Sequence, residues 1–483
     1  MRILALVALG ATSVSAAAKG FDDFKLAGAI PADAFLAVHT RGHEGQAFID
    51  KQMERVWAEL EKARLDRDIK RVFKNLSQQN APPVAEGEED PFEAQWQQVV
   101  DLASGVEWGG LTEREYAMGM KLSFPSLEFV VMMRPAADKV ESNFEGLSGI
   151  AKHLVSLDPA SFELSTEGEG SQTIHRISPT QAPLPVVFTL ARIDDTIVLG
   201  FGTAMVEQAM ALLRGEEGES LASTERFQAA FKDLPPPTDA AFYFDVARFF
   251  DAVRGMAEQV VQMRGRLPAE DDPTYQTEVA TRALPGKIID ALDIYDYMAS
   301  TATTDGMRTT ADEITVLRDG AADKPLYRIL YANGPVEQPL RFIPVDAGDV
   351  AAGAGLDLRA AYDEIVKFID EEVPDGKQMT AMLASSKEMI GFDIREEILG
   401  WIKGQYVTFS TPGPTAYSPG EFVLMLSTRD AEKGGALVQF ALDQLATNEQ
   451  FAIEDATISG TEGFKSVKSP MLGMLGMKAP TIG

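Results

Sequence analysis

Histidine is the residue type in this chain that most readily holds a metal ion, and the sequence contains 4 of them. His39 and His43 lie four residues apart, a spacing that would place two zinc ligands on one face of a helix. His39 closes a strand-like segment instead, and glycine occurs on both sides of His43. Zinc sites also need three or four protein ligands. We therefore interpret this segment as a surface turn, and His39 and His43 remain candidates for a metal site.

Three methionines near the C-terminus form a second candidate metal site. Met471, Met474 and Met477 recur at every third position. Their thioethers are soft donors that suit Cu(I), but no histidine or cysteine lies nearby in the sequence to complete such a site. Methionine also fills irregular gaps between packed elements. We interpret this tail as an adaptable apolar flap, keep copper binding as an alternative, and predict no cofactor.

Carboxylates are so abundant that neighbouring pairs are expected without a catalytic role. The chain has 73 Asp and Glu residues against 44 Lys and Arg residues. Asp290, Asp293 and Asp296 alternate with apolar positions, and we interpret them as the solvated face of one amphipathic helix. The sequence patterns of serine hydrolases and of nucleotide-binding loops do not occur in the context that those sites need. No catalytic residue is assigned.

The charge and size of the chain restrict its class. A net charge of -29 repels nucleic acid and anionic lipid surfaces, whose binding needs clustered Lys and Arg, so no nucleic-acid partner is expected. With 483 residues and 45% hydrophobic content, the chain can bury two or more cores. These numbers indicate a globular protein.

The N-terminus predicts export. Met1 and Arg2 precede an apolar run, and small residues follow at Ala16–Ala18, as in a secretory signal peptide over residues 1–18. The apolar run is too short to cross a bilayer, which takes roughly 20 residues. The chain has no cysteine, so disulfides and a lipid-modified cysteine are excluded. We expect a soluble mature protein in the bacterial periplasm or at the cell exterior, without a transmembrane segment.

The elements that would position any site occur twice in outline. The strand-like segment 127–134 corresponds to 420–427, and each is followed by an amphipathic helical stretch and two further strands. Internal repetition of this kind indicates two copies of one supersecondary unit. Short hairpin turns favour antiparallel pairing, and a sheet with one apolar face needs covering helices. The predicted fold class is therefore α+β, with two tandem related modules of mainly antiparallel sheet covered on one face by helices.

The proline run Pro235–Pro237 is the preferred module boundary, which gives a first module over residues 19–235 and a second over 236–483. In the first copy, two strands and a helix follow Pro179, with a tight turn at Asp194 and a cap at Thr203. In the second copy, the sequence stops 13 residues after Pro470. We expect either a fragment or a second module without its final hairpin.

The chain resembles a family of exported bacterial proteins of unknown function. Three segments carry the resemblance: the strand openings Pro31–Ala34 and Pro344–Ala347, and the helix end and turn over Gly391–Gly404. These are turn and core residues. The resemblance therefore implies a fold of tandem α+β modules and no particular chemistry.

These observations favour a non-enzymatic exported protein, a binding or scaffold module whose partner is an unknown protein or an apolar or envelope ligand. The first alternative is a hydrolase that uses carboxylates in a cleft between the modules to act on an envelope glycan or peptide. The second alternative is a copper-handling protein that depends on the methionine tail.

Overall fold

The structure is a computed structural model, and it divides into two compact units. Unit 1 takes its residues from Met1–Val260 and Tyr295–Arg318, and unit 2 from Val261–Ile294 and Asp319–Gly483. The residues that the structure describes are 21, 24–42, 91–123, 126–180, 186–305, 308–331, 343, 345, 347, 350–353, 357–385, 388, 393–410, 422–448, 450–458, 461–468 and 481–482.

Unit 1 is built on a ten-stranded sheet with the order β10-β9-β8-β1-β2-β3-β7-β6-β5-β4. Every neighbouring pair in it is antiparallel. The strands are β1 (Leu36–Arg41), β2 (Glu115–Ser123), β3 (Ser126–Arg134), β4 (Phe162–Glu167), β5 (Ile174–Pro179), β6 (Phe188–Ile193), β7 (Thr196–Phe201), β8 (Ala240–Phe244), β9 (Tyr295–Asp305) and β10 (Arg308–Leu317).

Helices of unit 1 lie on both faces of this sheet, rather than on the one face expected. Met132 packs in a core with residues of α3 and α4, whereas the next residue, Met133, packs in a second core with α2. Successive side chains of a strand point to opposite faces, so both faces are covered. The α-helices are α1 (Pro91–Ser104), α2 (Val140–Leu157), α3 (Ala204–Leu213), α4 (Glu225–Phe231) and α5 (Val246–Met263), and short 3₁₀ helices occupy Lys25–Ala29, Trp108–Gly110, Gly170–Gln172 and Leu221–Ser223.

The tight turn predicted before β7 is confirmed, whereas the helix cap predicted after β7 is not. Asp194 joins β6 to β7 with a φ of 51°, the left-handed conformation that Asp tolerates in a tight hairpin. Thr203 stands before α3, but its side chain makes no capping hydrogen bond. Instead, the amide of Met205 donates to Glu128 Oε2 at 2.8 Å. A buried carboxylate from β3 therefore caps α3, which is a long-range contact.

Unit 2 contains two small antiparallel sheets and a set of helices. One sheet has the order β11-β12-β13 and the other β14-β15-β16. The strands are β11 (Val350–Gly353), β12 (Ile402–Ser410), β13 (Phe422–Thr428), β14 (Ala452–Ile458), β15 (Thr461–Lys468) and β16 (Thr481–Ile482). The helices are α6 (Tyr275–Leu292), a 3₁₀ helix (Ala321–Asp323), α7 (Pro325–Leu330), α8 (Leu358–Glu372), α9 (Gly376–Ala384), a π-helix (Ile394–Ile398) and α10 (Ala431–Ala446).

The structure confirms the predicted α+β fold class with mainly antiparallel sheets. The boundary expected between residues 235 and 236 falls inside unit 1, because β8 follows the proline run and pairs with β1. The proline run is a connection between α4 and β8 rather than a division between compact units. None of the helices in the described parts of the chain combines the length and apolar character that crossing a membrane requires.

The interpretation of three aspartates as one solvated helix face is wrong. Asp290 lies on α6, but that helix ends at Leu292. Asp293 follows the helix end and is buried, and Asp296 lies on β9. The spacing of three continues past the end of the helix, so periodicity alone cannot show that the chain changes to a strand.

Candidate functional site

A pocket in unit 2 is the candidate site. Three helices line it: α6, α7 and α8. One compartment, about 300 Å³ in volume, is lined mainly by charged side chains, and an adjoining compartment of about 190 Å³ is lined mainly by apolar ones. The residues that line both compartments are Ala291, Pro325, Glu364 and Phe368. The pocket is therefore amphipathic.

Local sequence positions these helices. Asp357 caps α8, with Oδ1 accepting from the amides of Arg359 and Ala360 at 3.1 Å each. Pro325 occupies the start of α7, where a helix needs no backbone donor. Tyr327 and Tyr331 stack at the end of α7, with ring centroids 4.7 Å apart. These features mark the start of α8 and both ends of α7.

An arginine–glutamate pair forms the centre of the charged compartment. Arg328 Nε donates to Glu364 Oε1 at 2.7 Å, and Arg328 Nη2 donates to Glu364 Oε2 at 2.6 Å. Arg328 Nη1 also donates to the carbonyl of Asp323 at 2.6 Å. This two-point geometry fixes α7 against α8, because a guanidinium matches a carboxylate in only a few orientations.

Further cations line the charged compartment. Lys287 on α6 forms an ion pair with Glu372 on α8. Lys324 and Lys367 also line the compartment, and no ion pair joins either ammonium group to another of the described residues. Lys367 lies close enough to Glu364 to contribute to lowering its pKa. These two lysines are cations that an anionic ligand could contact, and Asp290 and Glu371 are further carboxylates of the same lining.

The apolar compartment is open to solvent. Ile288, Leu292 and Ile365 line it and are each more than 40% exposed. Leu326, Ile329 and Phe368 complete its apolar wall. Exposed apolar groups grouped in a concave site mark a surface that gains free energy when an apolar group covers it. This compartment is suited to a hydrocarbon chain.

Two of the carboxylates that line the pocket, Glu364 and Glu372, are poorly suited to acid–base chemistry. Hydrogen bonding from Arg328 lowers the pKa of Glu364, so this group is ionised at neutral pH and is a weak proton donor. Glu372 is ion-paired with Lys287. Catalytic acids usually have a raised pKa near the working pH. Glu364 and Glu372 are therefore partners of the neighbouring cations rather than candidates for proton transfer.

Two clusters of charged side chains in unit 1 hold the fold together. Arg134 donates to Glu115 Oε2 at 3.2 Å and to Asp195 Oδ2 at 2.7 Å. Burial raises the pKa of Glu115, although Arg134 and the amide of Leu26, at 2.7 Å, both donate to its carboxylate. Glu115 is thus committed to structural partners and does not line the pocket.

The second cluster surrounds Asp245. Arg226 donates to Asp245 through Nε at 2.7 Å and through Nη2 at 3.0 Å. Arg226 Nη2 also reaches Asp296 Oδ1 at 2.7 Å. The amide of Arg248 donates to Asp245 Oδ1 at 2.9 Å, so Asp245 caps α5 as well. This cluster links α4, the start of α5 and β9.

The structure places His39 in the core, not in a surface turn. His39 is 1% exposed on β1, and the rings of Phe21 and Phe24 lie 5.9 and 6.2 Å from its own. Burial lowers the pKa of His39 to about 3, so the ring is neutral at pH 7. Because a metal ion would have to enter this apolar core, we discard His39 as a ligand. The remaining metal candidates lie outside the described residues: His43, Met471, Met474 and Met477.

Among the described residues, no group of three or more His, Asp or Glu side chains is arranged to hold a metal ion. The sequence patterns did not single out the pocket residues. Lys287, Arg328 and Glu364 lie in three different helices, α6, α7 and α8, which are separated in the chain. The apolar period of α8 predicts a helix, but it does not indicate which other helices meet it.

Comparison with known proteins identifies a family. Residues 191–463, more than half of the chain, match the profile described as "Protein of unknown function (DUF3352)". This region includes all the described residues that line the pocket. No curated protein and no solved structure matches the chain. The chain therefore belongs to the DUF3352 family of proteins of unknown function.

Proposed function

We propose that this chain is an exported, non-enzymatic binding protein whose unit 2 pocket takes a small amphiphile with an anionic head group. The observation that carries the proposal is the division of the pocket into a charged and an apolar compartment that share Ala291, Pro325, Glu364 and Phe368. A head group and a chain attached to it can occupy the two compartments at once. Ligand sites are typically concave and mostly apolar with a few placed polar groups.

We infer the sign of the head group from the two lysines that form no ion pair with another described residue, Lys324 and Lys367. Arg328 and Lys287 are already matched by Glu364 and Glu372, so they contribute little attraction for a ligand. Lys324 and Lys367 supply two positive charges that an incoming carboxylate or phosphate can match, and Asp290 and Glu371 in the same lining oppose such a group. A cationic head group would instead approach these two ammonium groups unfavourably.

The size of the pocket limits the ligand. Pockets for drug-sized molecules measure roughly 300–1,000 Å³, and the charged compartment, at about 300 Å³, is at the lower end. The apolar compartment measures about 190 Å³. The pocket therefore suits a single medium-length chain better than a two-chain lipid.

The net charge of the protein makes the apolar chain essential. A net charge of -29 repels a free anion at long range, so the local lysines must compete with the whole molecule. Burial of methylene groups contributes about 0.8 kcal/mol each, independent of charge. Affinity should therefore rise with chain length. Added salt screens two interactions: the long-range repulsion by the net charge and the attraction by the two local lysines. Binding should become stronger with salt where the first effect is the larger one.

A duplicated order of elements supports the proposal that the protein is a scaffold of two related modules. In unit 1 the elements β2, β3, α2, β4 and β5 follow one another, and in unit 2 the elements β12, β13, α10, β14 and β15 follow in the same order. β6 pairs with β5, and β16 pairs with β15. This shared order of elements supports two related modules, of which the second contains the pocket.

Isothermal titration calorimetry with dodecanoate, below its micelle concentration, tests the proposal. We expect one molecule bound per chain, tighter than octanoate, and no binding of dodecyltrimethylammonium of the same length. Replacing both Lys324→Gln and Lys367→Gln should weaken dodecanoate binding about tenfold, or about 1.4 kcal/mol. Lys433→Gln, on α10 away from the pocket, is the matched control and should bind like the unmodified protein. Equal binding of the two head groups would contradict the proposal.

A further inference from the structure

Strand β13 carries an exposed apolar stripe. Phe422, Leu424 and Leu426 are 70%, 53% and 43% exposed, and they occupy alternate positions. Alternate residues of a strand share one face, so the three side chains lie side by side. Tyr406, on the neighbouring β12, pairs with Leu426 and is also exposed. An apolar group of this kind on one face of a sheet marks an interaction surface.

β13 is also an edge strand in the described part of the chain. It pairs with β12 on one side, and the order of its sheet places it at the end. The corresponding strand in unit 1, β3, pairs with β2 on one side and antiparallel with β7 on the other. There, the rings of Phe129 and Phe201 stack with centroids 5.7 Å apart. In the same chain, a strand of this type therefore takes a second, antiparallel partner.

The other long outer strands of the described sheets carry charges, and β13 does not. Charged side chains on edge strands prevent unwanted pairing with other molecules. β13 has the sequence FVLMLST, without a charge or a proline, and β11 is a strand of only four residues. The charged residues of the other outer strands include Glu163 and Glu167 on β4, Asp312 and Glu313 on β10, and Glu454 and Asp455 on β14.

We propose that β13 pairs antiparallel with β13 of a second copy of this chain, so that two three-stranded sheets join into one of six strands. A two-fold axis at Leu424 places Phe422 of one copy opposite Leu426 of the other. In this register each apolar side chain of the stripe meets an apolar neighbour, and the backbone groups of both edges are satisfied. A copy of the same strand is self-complementary in this way, as a two-fold interface requires.

Charge controls the strength of this interface. Two chains with a net charge of -29 each repel one another, while the strands that meet are uncharged. Salt screens the repulsion, because the Debye length falls from about 10 Å at 0.1 M to about 3 Å at 1 M. The dimer should therefore be stronger at high ionic strength.

Sedimentation velocity of the full chain at several protein concentrations and at 0.1 and 0.5 M NaCl tests the inference. We expect a monomer–dimer equilibrium that shifts toward the dimer at the higher salt concentration. Leu424→Lys should give a monomer at every concentration, because it places two like charges at the two-fold axis. Met382 is also apolar and is 61% exposed on α9, so Met382→Lys is the control and should leave the equilibrium unchanged.

The absence of cysteine allows a second, independent measurement of the register. In the proposed pair, Leu424→Cys lies opposite its own copy at a Cα separation of about 4.5–5.5 Å, which permits a disulfide. Mild oxidation should then produce a covalent dimer, and Met382→Cys should produce none under the same conditions. A chain that is monomeric at all concentrations, or a Leu424→Cys variant that cross-links no faster than Met382→Cys, would overturn the inference.

Discussion

Arg328 on α7 holds Glu364 on α8 through two hydrogen bonds of 2.7 and 2.6 Å, and this pair joins the two compartments of the pocket. Glu364 lines both compartments. Its orientation therefore sets where the charged wall ends and the apolar wall begins.

Removing this pair should cost little stability but alter the pocket. We expect Glu364→Gln to lower the free energy of unfolding by about 0.5–1 kcal/mol, because partly exposed ion pairs contribute little. The pKa of Glu364 is lowered in the folded state, so the contribution is present above the unfolded pKa and is lost as pH falls through the folded value. Urea unfolding at pH 7 and pH 3 measures this difference. A double-mutant cycle with Arg328→Met isolates the interaction between the two side chains. A coupling energy of zero at pH 7 would show that the ion pair does not stabilise the protein.

The Asp245 cluster should contribute more stability, because its carboxylate is buried. We expect Asp245→Ala to lower the free energy of unfolding by about 2–4 kcal/mol, since it removes the cap of α5 and the carboxylate that Arg226 contacts. Asp251→Ala, an exposed position on the same helix, is the control and should change stability by about 0.5 kcal/mol or less. Chemical unfolding followed by circular dichroism compares them. Equal losses for the two variants would show that Asp245 has no special role.

His39 should make the protein sensitive to acid. Its pKa is lowered to about 3 by burial, whereas in the unfolded chain it is about 6.5. Between these values the unfolded state binds one more proton, so stability is complete above pH 6.5 and falls as pH decreases. The slope from this one group is about 1.4 kcal/mol per pH unit.

Replacing the ring tests this slope directly. His39→Leu keeps an apolar side chain in the core and removes the titrating group. Urea unfolding at intervals between pH 6.5 and pH 4 should therefore show a shallower loss of stability for His39→Leu than for the unmodified chain. Parallel curves for the two proteins would show that His39 does not become protonated on unfolding in this range.

Local patterns in the sequence predicted the strands and hairpins, because short-range chemistry decides them. The strands on either side of Pro125 and the tight turn at Asp194 follow from alternation and turn residues. The cap of α3 could not be predicted in this way, because Glu128 lies 77 residues before the amide of Met205 that it accepts from. The same reason explains why β8, β9 and β10 join the first sheet beyond the proline run.

Local patterns in the sequence could not predict the pocket either. Its walls come from α6, α7 and α8. On its own, α8 shows only the amphipathic period of a surface helix, and α7 has six residues. The spacing of histidine and methionine indicated other candidate residues, and one of them, His39, is a core residue. What distinguishes the site is the meeting of Lys324 and Lys367 with an exposed apolar wall, which depends on tertiary packing.

The most direct test of the proposed site is photo-cross-linking with a dodecanoate that carries a diazirine near its methyl end. After irradiation and proteolysis, mass spectrometry locates the labelled residues. We predict labels on the apolar wall, at Ile288, Leu292 or Ile365, and competition by unmodified dodecanoate. Labels concentrated on the exposed stripe of Phe422, Leu424 and Leu426, or labels that dodecanoate does not displace, would contradict the account.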